Sequence, residues 1–146
     1  MSSRASGRTE ACSVSDAKIR LRHAVKFLEV ASLVAEELAT DENDEESAAN
    51  RNVSASLAIL AGIAASDAAC CKVLHLRSRG QDHQGAVALV AQLQPDGRAA
   101  SNALRRLLTT KDTAQYSFLH VSRSDLISVL RQAQVLVDIA KSSMQR

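Results

Sequence analysis

Aromatic residues are almost missing: they make up 2% of the chain, as Phe27, Tyr116 and Phe118, with no tryptophan. Strands draw on aromatic and β-branched residues, whereas alanine and leucine, both strong helix formers, dominate here. Proline occurs once, at Pro95, and glycine five times. Breakers are therefore scarce and long helices are favoured. Neither sign of charge is in much excess, and a net +2 is too small to indicate nucleic acid by itself. Cysteine is sparse too. Cys12, Cys70 and Cys71 form an odd set of three without CxxC spacing, which predicts no disulfide framework and reduced thiols in a cytoplasmic protein. The first thirteen residues lack the apolar stretch of a signal peptide. The most apolar run, residues 57–74, is interrupted by Ser66, Asp67 and Lys72. It reads as a buried helix rather than a membrane span, so no membrane partner is expected.

What is present suits one domain with one core: 146 residues, 46% of them apolar. Residues 1–13 are Ser-, Arg- and Gly-rich and are predicted to be a disordered tail ahead of a helical domain at 14–146. Ser15 is the expected cap of a first helix running to about residue 39, with Leu21, Val25, Leu28, Ala31, Ala35 and Leu38 on one face. An acidic loop at 40–46 precedes a second helix at 47–76 that is apolar almost all round, which marks it as central. Residues 78–81 form a polar loop. Asp82 caps a short third helix from His83 to about residue 94, stopped by Pro95 and Gly97. A fourth helix spans about 98–116, with Ala103, Leu104, Leu107 and Leu108 inward. After a break at 117–121, the Ser122-x-x-Asp125 pair opens a fifth helix. The predicted class is all-α: a single bundle of about five helices.

Three groups of residues carry candidate chemistry. Asp67, Cys71 and His75 fall on one stripe of the second helix at successive turns. A Cys and a His so placed suit a metal or a nucleophile–base pair, but two ligands without a second pair do not make a structural metal site, so no metal is expected. The plain reading is a buried thiol, a boundary histidine and an aspartate held by a neighbouring helix. Asp67 in an apolar helix requires a polar partner from elsewhere, such as Lys111, Tyr116 or an arginine. The second group is Arg77, Arg79, Asp82 and His83, two guanidinium groups, a carboxylate and an imidazole ahead of a helix N-terminus. That chemistry suits phosphate, with His83 available as a general base. The plain reading is a solvated loop with Asp82 as cap. The third group is Lys111 and Tyr116, an anion-binding cation and the chain's lone phenol, or simply a helix end with a tyrosine at the core edge.

The order of Gly62-Ile-Ala-Ala-Ser-Asp67-Ala, Gly80-Gln-Asp-His83-Gln-Gly-Ala-Val and Lys111-x-x-Ala114-x-Tyr116, followed by a long Leu/Val/Ala-rich helix, resembles the HEPN superfamily (higher eukaryotes and prokaryotes nucleotide-binding). The resemblance covers about residues 47–140. It implies an α-helical bundle, often dimeric. Many members are ribonucleases of toxin–antitoxin or defence systems, and others bind nucleotides or assist nucleotidyltransferases. Ribonuclease members carry Arg-x4–6-His near the late helices, where this chain has Lys111-x4-Tyr116 instead. An Arg-x5-His pair, Arg77 to His83, stands earlier. The resemblance therefore favours a non-catalytic module binding a nucleotide, an RNA or a protein partner through Arg77, Arg79, Asp82, His83, Lys111 and Tyr116, without a cofactor. A metal-independent ribonuclease using His83 with Arg77 or Arg79 stays open, as does a purely structural homodimeric bundle. A nucleotidyltransferase or an antitoxin is the protein partner that the resemblance suggests.

Overall fold

The computed structural model of the chain describes residues 8–79 and 82–146; Gly80 and Gln81 of the second motif lie outside them, as do residues 1–7. The described residues form β1 (Thr9–Ala11), α1 (Val14–Leu38), α2 (Glu45–Leu74), β2 (Leu76–Ser78), α3 (His83–Val90), α4 (Gly97–Gln115) and α5 (Arg123–Met144). The class is all-α, as the composition predicts.

α2 is the axis of the bundle, touching α1, α3, α4, α5 and β2. Its sequence explains this position. Ala58, Ala61, Ala64, Ala65 and Ala68 are fully buried, and small side chains let neighbouring helices approach closely. At Gly62 even a methyl group would overlap Cδ1 of Leu107 on α4 and lie 3.2 Å from Cδ1 of Leu136 on α5. By length and composition α2 is apolar enough to cross a membrane, yet most of its apolar stretch is buried within its own bundle. One core gathers residues of all five helices, from Leu28 on α1 and Ile59 on α2 through Leu89, Leu104 and Leu107 to Leu136 and Val137 on α5.

The helix ends follow local chemistry. Asp44 caps α2 through the Ser47 N–H and Ser122 caps α5 through the Asp125 N–H. Two expectations are corrected at the N-terminus. The cap of α1 is Ser13, not Ser15: its hydroxyl accepts from Asp16 N at 3.0 Å while the Asp16 carboxylate accepts from Ser13 N at 2.8 Å. This reciprocal pair holds the Asp16 carboxyl below its ordinary range. The tail predicted over 1–13 is not featureless either, because Thr9–Ala11 pairs with Leu76–Ser78 as an antiparallel ladder. The second helix, expected to reach residue 76, stops at Leu74, and β2 takes up Leu76 together with Ser78, the first residue of the expected polar loop.

The cysteine expectation is also overturned. Cys12 and Cys71 form a disulfide with their Cα atoms 5.3 Å apart, and Cys70 alone is free and buried. Burial, with the nearby Asp67 charge, pushes the Cys70 thiol up to about 12, so it is inert as a nucleophile near neutral pH.

Candidate functional site

The end of α2, β2, the start of α3 and the C-terminal half of α4 enclose a cavity of about 360 Å³. Asp67, Arg77, Arg79, Asp82, His83, Lys111 and Tyr116 all line it. Two groups separated by more than 25 residues of sequence therefore meet because α4 runs back along α2. Leu60, Ile63, Leu104 and Leu108 supply an apolar wall.

Most of the charged groups lining it are already paired. Asp67, whose side chain is 13% exposed, takes Nη2 and Nε of Arg20 on one carboxylate oxygen at 3.0 and 3.3 Å. The partner its burial demanded is thus an arginine of α1. Arg77 gives Nε to Glu10 at 2.6 Å, sets Nη2 against the same oxygen and turns Nη1 toward Asp67 at 3.9 Å. Arg79 places Nε 3.8 Å from the other oxygen of Glu10. Asp82 is committed to its cap, accepting from Gly85 N at 2.8 Å. The α3 N-terminus expected to favour an external anion is therefore filled by its own carboxylate. Lys111 has no carboxylate within ion-pair distance among the described residues. Its Nζ lies 5.1 Å from the centre of the Tyr116 ring, a cation–π contact. Tyr116 itself is 71% exposed, so it is an open platform at the mouth and not a core anchor.

Sequence reasoning passed over three contributors. Ser66, 5% exposed, lines the cavity, and its hydroxyl has no hydrogen-bond partner among the described residues. A buried hydroxyl without a partner is costly, and this one belongs to a residue of the cavity wall. Its signal was present, as a serine beside an aspartate in an alanine-rich helix. Glu10 gave no signal, since nothing in Thr-Glu-Ala marks it as the counter-charge of Arg77. Asn52, on the second turn of α2, reaches across to the end of α4. Its amide NH2 donates to Thr113 O and Leu119 O at 3.2 Å and its Oδ1 accepts from Val121 N at 2.8 Å.

The Asp67–Cys71–His75 stripe does not survive as a chemical unit. Cys71 is consumed by the disulfide, and His75 ends α2 in the left-handed region with φ 60°. Among the described residues no three His, Cys, Asp or Glu side chains come together as a metal site.

The environment of Asp67 sets a pH dependence. Burial raises its carboxyl above the ordinary value of 3.8, opposed by Arg20 and Arg77. A raised folded-state value means that the native protein binds this proton more tightly than the unfolded chain does. The ionised group therefore opposes folding at neutral pH, and acidification toward 3.8 relieves it. Asp67→Asn lacks this titration. On going from pH 7 toward pH 4 the parent is expected to gain stability relative to Asp67→Asn, measured by urea unfolding of both. A constant difference across that range would show that the ion pair, not burial, governs the carboxyl.

Neither a protein-family model nor a curated protein matches the chain.

Proposed function

We propose that this chain is a HEPN-like helical module that binds the phosphate of a nucleotide or an RNA in the α2–α4 cavity and does not cleave it. The observation that carries the reading is the meeting of Arg79, Lys111, His83 and Tyr116 around one cavity whose wall holds the unpartnered Ser66 hydroxyl. Its volume falls within the range of small-molecule sites. Lys111 and Arg79 are the cations best placed for a phosphate, Ser66 offers a donor below them, and the exposed face of Tyr116 suits a stacked base. The apolar wall accommodates the rest of a nucleoside.

The ribonuclease alternative has one point in its favour: His83 and Arg77 line the same cavity. Against it, the late Arg-x4–6-His of the ribonuclease members is missing from the sequence, and with Glu10 in place all three guanidinium nitrogens of Arg77 face Glu10 or Asp67. With the HEPN reading come a homodimer, a nucleotidyltransferase or antitoxin partner and a cytoplasmic, toxin–antitoxin or defence setting.

The test is a titration of a fluorescein-labelled single-stranded oligoribonucleotide, competed with ADP, followed by gel analysis of the RNA without metal. Binding that weakens with rising salt is expected. Lys111→Glu should weaken it about tenfold or more, the equivalent of ~1.4 kcal/mol. The RNA should remain intact. Cleavage lost in His83→Ala would install the ribonuclease reading instead, and affinity indifferent to Lys111→Glu would remove the cavity from the account.

A further inference from the structure

The first described residues of the chain form a strap along β2, whose Arg77 and Ser78 line the cavity. Cys12 is joined to Cys71 on α2, Cys12 N donates to His75 O at 3.0 Å, and Arg79 N donates to Arg8 O at 3.0 Å. Within the strap the register sets Glu10 opposite Arg77. Its two carboxylate oxygens face Arg77 and Arg79, two of the three firmly cationic groups on the cavity wall. Glu10 thus stands where the charge of a bound phosphate would be felt, engaging the groups that a phosphate would use.

We propose that the Cys12–Cys71 disulfide is a redox latch that holds Glu10 against Arg77 and Arg79, so that the oxidised protein has a weak anion site and reduction opens a strong one. The proposal rests on the phosphate-binding reading above and adds its regulation. Three observations carry it. The ladder between the strap and β2 is three residue pairs long, and a two-stranded ladder of that size is marginal in water, so the covalent bond is its main restraint. The disulfide is reachable: Cys12 is half-buried, and both sulfurs' residues border a second cavity of about 340 Å³ beside Glu10, Arg20 and Arg77. Finally, the electrostatic change is of useful size. Withdrawing Glu10 leaves Asp67 as the sole carboxylate within 4 Å of Arg77 among the described residues, and Asp67 is already bonded to Arg20. In a reducing compartment a disulfide of this kind is a transient, sensing bond rather than a structural one.

The chemistry is thiol–disulfide exchange with a dithiol. One reductant thiolate attacks Sγ of Cys12, the more accessible sulfur, and Cys71 departs as a thiolate that takes up a proton. The second reductant thiol resolves the mixed disulfide, leaving Cys12 as a thiol and the reductant oxidised by two electrons. Exchange with a small disulfide runs the same steps backward and closes the strap.

The experiment measures binding of the labelled oligoribonucleotide to the full chain, oxidised and after dithiothreitol, for the parent and for Glu10→Gln. Reduction is expected to tighten binding by the parent about fivefold or more, the range of ordinary coupling between sites. Glu10→Gln should bind tightly while still oxidised and change little on reduction. Glu10→Gln leaves the disulfide intact, so the comparison holds even where reduction lowers stability. By reciprocity, the oligonucleotide should favour the reduced parent by the same factor in a dithiothreitol redox titration. Equal affinity of the oxidised and reduced parent overturns the latch, as does a Glu10→Gln variant that binds like the oxidised parent. Absence of binding by every form, Glu10→Gln included, overturns the phosphate site itself and the latch with it.

Discussion

Replacing Cys12 by serine is expected to lower the midpoint of thermal unfolding by roughly 10 °C, and deleting residues 1–13 to lower it further. The disulfide joins residues 59 apart in sequence. On loop-closure entropy a cross-link of that span is worth about 4 kcal/mol, because it removes extended conformations from the unfolded ensemble. For a chain of this size each kcal/mol moves the midpoint by about 2–4 °C. The deletion also removes the Ser13 cap, worth about 1 kcal/mol, and the counter-charge of Arg77. Reading the first thirteen residues as a polar tail predicts no change for the deletion, so the two views are cleanly separated by melting curves under non-oxidising and oxidising conditions. The parent in dithiothreitol should melt close to Cys12→Ser. A shift below about 2 °C for both the variant and the deletion would mean that the strap contributes little to the native state.

The contrast between that strap and the rest of the molecule shows what the sequence could disclose. Helices announce themselves because their information is local. The period of Leu126, Val129, Ala133, Leu136 and Val137 identifies a buried face on α5, and all five are buried. The unbroken apolar run of α2 identifies a helix surrounded on all sides. Asp82 as a cap was legible for the same reason, its partner Gly85 N lying three residues away. Ser13-x-x-Asp16 has the same pattern as Ser122-x-x-Asp125 and was equally readable; Ser15 lacked the reciprocal carboxylate. The meeting of Arg77–His83 with Lys111–Tyr116 was reachable by reasoning on antiparallel helices, since short connections return each helix beside its predecessor.

What stayed hidden depends on distant partners. A three-residue strand has no period to detect, and Thr-Glu-Ala is compatible with any backbone state. The pairing of Cys12 with Cys71 rather than Cys70 follows from which side of α2 faces the strap, which spacing alone does not reveal. Asp67 declared its need for a partner, but twelve other arginines and five lysines competed with Arg20 for that role in the sequence. The same holds for Glu10, which gains meaning only once the ladder has set it opposite Arg77.

Asn52 is the sharpest case of a distant partnership, and its removal should be costly. α4 ends at Gln115, where its last carbonyls need donors. Asn52 supplies them from α2, giving its NH2 group to Thr113 O and Leu119 O, with Ala114 O at 3.4 Å, while its Oδ1 receives the N–H of Val121, a residue 1% exposed. Arg51 adds Nε to Val121 O at 2.9 Å. One amide thus bonds both to the end of α4 and to the loop that follows it. Asn52→Ala is expected to cost about 2–4 kcal/mol: the stranded Val121 N–H accounts for about 1–3 and the lost donors for about 1 more, because Ser117 and Ser56 hydroxyls still donate to Thr113 O and Ala114 O. Asn52→Asp is the informative control. It keeps the acceptor for Val121 N but exchanges two donors for a carboxylate aimed at the negative end of a helix dipole. It should therefore be no more stable than Asn52→Ala at neutral pH, and it should recover part of the loss when acid protonates it. Because Lys111 sits on the final turns of α4 and Tyr116 directly follows it, both variants should also weaken oligoribonucleotide binding while leaving the helical circular dichroism signal unchanged. An Asn52→Ala protein as stable as its parent would mean that water replaces the amide at the end of α4, and the position of Tyr116 would then owe nothing to α2.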